Sequence, residues 1–181
     1  MRTDPILDAA ERVFEQYGAR RANVDDIARE AGVSRSTLYR RHPSKEALLA
    51  AVVLRSVDAF FDELDRVAAD LAPQEAVIEC FVRGLAIMRE IRVLGRLAQT
   101  EPEVLSAIPG RGHMLVAQAD RVARTLRRAG AAAPPEELQM VAELMLRLAS
   151  TYLLDPEGRL DLTDEQSVRD FAKRYLAPLV S

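Results

Sequence analysis

The stretch Gly32–Leu49, GVSRSTLYRRHPSKEALL, decides how the chain folds. Between Gly32 and Lys45 it gathers three arginines, a lysine, a threonine, a tyrosine and several serines. Gly32 marks a turn, because glycine enters left-handed backbone geometry without a steric penalty. Ser34 caps the helix that follows, its hydroxyl accepting from a free backbone N–H. That helix is short, since Pro43 disfavours helical geometry at His42 and so ends it near Arg41. Upstream, Asn23 caps a helix from about Val24 to Ala31, with Ile27 and Ala31 facing inward. Two short helices joined by a tight glycine turn make a helix-turn-helix pattern. Ala28 is small where the helices cross, and Val33 and Leu38 plug the crossing.

A helical wheel turns by ~100° per residue. With Leu38 inward, Ser36 and Arg40 fall outward, and Thr37 and Tyr39 flank them. Every side chain on this face forms hydrogen bonds. Arginine pairs bidentately with guanine, and a threonine methyl touches thymine, when such a helix lies in a major groove. Lys45 sits in the first turn of the next helix beside the cap Ser44. Free N–H groups and the helix dipole attract an anion there, so Lys45 reads as a phosphate clamp. The bland alternative is a solvated basic surface.

Charge distribution agrees with a polyanionic partner for one end of the molecule. The 181-residue chain has a net charge of −3. Gly18–Lys45 holds seven Lys/Arg against three Asp/Glu, a surplus of four, which leaves −7 on the remainder. A basic patch on an acidic body suits nucleic acid.

Working outward, the whole chain reads as helix, with none of the alternating runs and hairpin turns of strands. Asp4 caps a first helix with Pro5 at its first position, and Gly18 ends it. Ser44 caps a fourth helix whose apolar stripe runs from Leu48 to about Leu71 without proline or glycine, a strut between two regions. Helices follow from Pro73, over about Ile91–Gln99, over about Arg111–Ala129, around Leu138–Tyr152 and around Val168–Leu176. Pro102, Pro109 and Gly110 break the chain between the sixth and seventh helices. Thr163 and Gln166 have the form of a capping box. The expectation is an all-α chain of about nine helices: a helix-turn-helix domain over residues 1–48 and a helical ligand-binding and dimerisation domain over 49–181.

Composition excludes several classes. Apolar residues make up 49% of the chain, enough for an ordinary core, yet no run approaches the ~20 residues of a membrane helix. MRTDPILDAAERVF reads as an amphipathic helix, not as a secretion signal. One cysteine, Cys80, allows no internal disulfide, so a cytoplasmic location is expected. His42, His113 and Cys80 are too few and scattered for a metal site, and no cofactor is expected. No G-x-S-x-G, P-loop or H-E-x-x-H occurs, and GRGHML at 110–115 lacks the third glycine of a dinucleotide fingerprint.

These residues resemble a known family. ILDAAERVFEQYGARRANVDDIAREAGVSRSTLYRRHPSKEALL, Ile6–Leu49, is similar to the DNA-binding domain of the tetracycline-repressor-like (TetR) transcriptional regulators. The likeness rests on Ala9-Ala10, Phe14…Gly18, Ile27-Ala28, Ala31-Gly32-Val33-Ser34, Leu38-Tyr39 and Ser44-Lys45. It implies a homodimer on a palindromic DNA operator and repression relieved by a small-molecule effector. It also implies that Arg35, Ser36, Thr37, Tyr39 and Arg41 contact bases or phosphates, with Lys45 on phosphate. Arg40 is added by the wheel. His42 departs from the family, which usually has an aromatic there, and reads either as a hydrogen-bonded histidine or as a pH switch.

The remaining helices carry the other two expectations. Leu138, Val141, Leu144, Met145, Leu148, Tyr152, Val168, Phe171 and Tyr175 form broad apolar faces that would pair across a two-fold as a four-helix bundle. Packing within their own domain is the alternative. Phe60, Phe61, Phe81, Leu85, Met88, Met114 and Leu115 are candidate walls of an effector pocket, or simply core. Arg92, Arg96, His113 and Gln118 are the nearby polar groups that would orient a ligand. Two rival functions stay open: a helical ligand carrier or adaptor without DNA binding, and a helical enzyme.

Overall fold

A computed structural model describes residues 4–108 and 111–180. Among the described residues ten α-helices follow one another: α1 (Pro5–Arg21), α2 (Val24–Glu30), α3 (Arg35–Arg41), α4 (Lys45–Ala68), α5 (Pro73–Glu90), α6 (Arg92–Thr100), α7 (Pro102–Ser106), α8 (Arg111–Arg128), α9 (Pro135–Leu154) and α10 (Glu165–Phe171). A π-turn over Ala172–Leu176 and a 3-10 turn over Ala177–Val180 extend the last helix. No strand occurs among the described residues. The chain is all-α, as the sequence predicts. The helix beyond the expected nine is α7, which Pro102 starts.

Local chemistry sets the boundaries. Asp4 accepts from the Ile6 N–H at 3.0 Å, Asn23 from Asp25 at 3.0 Å, Ser34 from Thr37 at 3.1 Å and Ser44 from Ala47 at 3.0 Å. Each cap satisfies an N–H that the first helical turn leaves free. The capping box stands one residue away from its expected place. Asp164, not Thr163, caps α10, accepting from the N–H groups of Gln166 and Ser167. The Thr163 hydroxyl instead donates to Asp161, and Gln166 bonds forward to Asp170.

The chain divides into two compact units, Met1–Asp58 with Ile91–Pro109, and Ala59–Glu90 with Gly110–Ser181. This division differs from a boundary at residue 48. The continuous helix α4 contributes to both units, and α6 and α7 return to the N-terminal one. In that unit Ile6, Phe14, Ile27, Leu38, Leu48 and Val52 share one core with Val93 and Leu97 of α6. Amphipathic α6 buries Val93, Leu94, Leu97 and Ala98 and leaves Arg92 and Arg96 exposed.

A buried carboxylate fixes the end of α1. Gly18 breaks the helix at φ 79° and ψ 166°, a region open essentially to glycine alone. A β-carbon there would collide with Oε1 of Glu101, which is 8% exposed. Glu101 Oε2 accepts from the Arg20 N–H at 3.0 Å, and Arg20 pairs with Glu103.

The second unit has its own core of Val77, Phe81, Leu85, Leu126, Leu138, Ala142, Val168 and Leu176. Phe171 stacks on Phe81 with centroids 5.9 Å apart and meets Tyr152 edge-on at 6.4 Å. These aromatic contacts fasten the C-terminal segment to α5 and α9.

Candidate nucleic-acid interface and effector cavity

The turn between α2 and α3 closes with paired bonds. The Val33 N–H donates to Ala28 O at 3.0 Å, and the Gly32 N–H to Arg29 O at 3.2 Å. This pattern satisfies the last carbonyls of α2 and requires a positive φ at Gly32, which has 67°. Nothing crowds a β-carbon at Gly32, so backbone conformation alone demands the glycine. The turn delivers α3 with Leu38 fully buried.

The opposite face of α3 is open. Arg35, Ser36 and Arg40 are exposed, while Thr37 and Tyr39 are half-buried. Ser34 Oγ lies 2.9 Å from both Ser36 Oγ and Thr37 Oγ1, so three hydroxyls form a connected cluster at the helix start. Arg35 bonds Asp25 at 3.0 Å and stacks over the Tyr39 ring at 5.4 Å. Such an exposed pair is weak and gives way readily to a phosphate or a base. Arg40 makes no hydrogen bond or ion pair among the described residues.

Two expected phosphate contacts have other partners here. Arg41 bonds both oxygens of Asp4, the α1 cap, with the shorter bond 2.5 Å. Lys45 donates to Arg20 O at 3.0 Å and Ala22 O at 3.3 Å. Its ammonium therefore caps carbonyls at the end of α1 instead of standing free at the mouth of α4. The physical reason is simple: orphan carbonyls at a helix end attract a cation strongly.

His42 closes α3 in extended geometry at φ −131°. Its Nε2 is buried without a hydrogen-bond partner among the described residues. Burial pushes its pKa below the ordinary 6.5; Asp4 opposes that shift and Arg41 adds to it. The environment of the ring therefore favours its neutral form.

A cavity of about 90 Å³ lies in the second unit between α4, α5, α8 and α9. Of the expected walls, Phe60, Phe61, Phe81, Leu85 and Met88 surround it, and Met114 and Leu115 do not. The orienting polar groups also differ. Arg92 and Arg96 belong to the other unit, His113 is exposed, and Gln118 is buried outside the lining, its Oε1 without a hydrogen-bond partner among the described residues. Asp65, Thr125 and Cys80 line the cavity in their place. Asp65 accepts from Arg121 Nε and from Thr125 Oγ1, each at 2.7 Å. Burial alone would lower the Arg121 pKa, but its bonds to Asp62 and Asp65 more than offset this and raise it. The Cys80 thiol donates to Leu64 O at 3.4 Å. Burial first, then Asp65 and Glu79, pushes that thiol up to about 12. Gly84 belongs to the same wall, where a β-carbon would stand 3.4 Å from Phe60. Spacing could have indicated Asp65 and Gly84, each one turn along from Phe61 and Cys80.

The expected dimer residues divide by burial. Leu138, Val141 and Val168 are enclosed in the chain's own core, at 8% exposure or less, and are unavailable to a partner. Met145, Leu148, Tyr152 and Phe171 are half-buried, and Tyr175 is exposed. Open apolar residues of the second unit include Met140, Leu144, Leu154, Tyr175 and Leu179, all more than 40% exposed, and Val116 on α8 is open too. Met140 and Leu144 are one turn apart on α9, and so are Tyr175 and Leu179 on the last segment.

Among the described residues no helix is long and apolar enough to cross a membrane. Residues 6–52 match the family model of bacterial regulatory proteins of the tetR family. An uncharacterised HTH-type transcriptional regulator of Mycobacterium tuberculosis, Rv1255c, is 30% identical over 180 residues, covering 98% of this chain and 85% of that protein. RutR of Escherichia coli, also an HTH-type transcriptional regulator, is 36% identical over 92 residues, 51% of this chain and 43% of its own. The fold is that of AlkX, a TetR family repressor from Dietzia sp., with a TM-score of 0.74 at 19% identity, covering 98% of this chain and 96% of the other. Sequence, helix-turn-helix geometry and fold agree: this chain belongs to the TetR family of helix-turn-helix transcriptional regulators.

Proposed function

We propose that the protein is a repressor that binds a palindromic operator as a homodimer and leaves it when a small molecule enters the second unit. The observation that carries this reading is the outward face of α3, where three connected hydroxyls and an exposed Arg40, without an ion pair among the described residues, stand over a buried Leu38. Ser36 and Thr37 address base edges, and Arg40 and Tyr39 reach phosphate. Arg35 joins them once a duplex competes with Asp25. Arg41 and Lys45 position α3 and α4 against α1, and the remaining donors of Lys45 add positive potential near phosphate.

One such helix covers little DNA. Two of them read half-sites spaced by about 34–36 Å, one duplex turn, or a multiple of it. The exposed residues Met140, Leu144, Tyr175 and Leu179 supply a surface for the second copy. A ligand between α4 and α5 weakens operator binding only if it prefers a conformation of α4 that the operator-bound dimer disfavours. Sedimentation of the protein with and without a selected duplex tests the assembly. Two chains per duplex are expected, and one chain per inverted repeat would overturn it.

A further inference from the structure

The cavity of the second unit has a chemical character that its position alone does not dictate. Among the described residues eighteen line it, and none of these is lysine, arginine or histidine. A carboxylate or phosphate placed inside would meet Asp65, and the cation bonded to Asp65, Arg121, is already shared between Asp65 and Asp62. A cation fares little better. Asp65 already accepts from Arg121 on one oxygen and Thr125 on the other, and Arg121 also bonds Asp62. Displacing Arg121 would exchange a formed ion pair for another of equal charge, at the cost of desolvating the newcomer. The thiol of Cys80 is neutral and bonded to a backbone oxygen.

Size narrows the field further. The free volume is about 90 Å³. A fully apolar cavity of about 150 Å³ takes benzene. Met88 and Met145 border the space, and methionine's unbranched chain yields more readily than a branched one. A single ring is admitted with modest movement, and a long chain or fused ring is not. Thr125 and Asp65 still present lone pairs that a ligand hydroxyl can use.

We propose that the effector is an uncharged, mostly apolar molecule of about one six-membered ring, bearing a hydroxyl that bonds at the Thr125–Asp65 corner. This rests on the effector-released repressor reading and specifies its ligand.

The test uses cyclohexanol, cyclohexanecarboxylate and cyclohexylammonium on the full chain, with melting temperature and operator binding measured separately. Cyclohexanol is expected to raise Tm by about 3 °C at ten times its dissociation constant, and the two ions to leave it unchanged. Gly84→Leu, which fills the wall beside Phe60, should abolish the response. Met88→Ala, which enlarges the space, should admit decahydronaphthol. Stabilisation by either ion with cyclohexanol silent overturns the proposal, as does no response to cyclohexanol or a response that survives Gly84→Leu. If cyclohexanol stabilises the protein without weakening operator binding, the ligand class stands and release by a ligand falls. If only an ion weakens operator binding, release stands and the ligand class falls.

Discussion

The Lys45 ammonium donates to Arg20 O at 3.0 Å, across 25 positions of sequence, and so joins the start of α4 to the end of α1. A lysine placed by its sequence context at an anion site serves here as an internal cap. Lys45→Ala should therefore lower stability by about 1–2 kcal/mol through lost charged hydrogen bonds. Arg40→Ala should leave Tm unchanged yet reduce the slope of log affinity against log salt by about 0.9, one phosphate's worth, if it contacts the backbone. Thermal melts beside salt titrations separate the two. Equal Tm for Lys45→Ala and wild type would contradict the capping role.

The α1–α6 junction predicts a larger loss. Gly18→Ala forces a side chain into a glycine-only backbone region and against Glu101, at a cost of about 1–3 kcal/mol from strain alone. Glu101→Ala removes the acceptor for the Arg20 N–H, whereas Glu101→Gln keeps an oxygen there and should fall between Glu101→Ala and the wild type. Chemical denaturation of the three variants would reveal the order.

His42 gives a pH dependence whose sign follows from its lowered pKa. Folding favours the neutral ring, so it takes up its proton at lower pH than the unfolded chain, which protonates it near 6.5. Below that value the unfolded state binds more protons, so stability falls as pH drops; above it the contribution is complete. The Tm difference between His42→Phe and wild type should widen in favour of the variant from pH 7.5 to 5.5. A constant difference would show that His42 titrates alike in both states.

Leu144→Glu places a charge among the open apolar residues of α9. Because Leu144 is 55% exposed, the chain should fold unchanged while the proposed dimer dissociates. Light scattering with circular dichroism reads both. A persistent dimer would move the interface elsewhere.

What the sequence discloses follows the range of the interactions concerned. Caps at Asp4, Asn23, Ser34 and Ser44 depend on atoms two or three residues away, so local chemistry reveals them. Thr163 misleads because Asp161, equally local, draws its hydroxyl away and leaves the cap to Asp164. Periodicity marks Leu138, Val141 and Val168 as apolar but not what covers them, and their own protomer does. The partners of Lys45 and Arg41 lie 23 to 37 positions distant, beyond any local pattern. Likewise nothing in its own composition says that α6 joins the core of Ile6 and Phe14.

Sequence preference tests the role of α3 most directly. Wild-type and Thr37→Ala protein should each select duplexes from a random pool. The wild type is expected to enrich an inverted repeat. The variant should lose preference at symmetric positions in both half-sites, by about 1–3 kcal/mol per lost base contact. Identical preferences for the two proteins, or no enriched repeat at all, would contradict the reading of DNA by this helix.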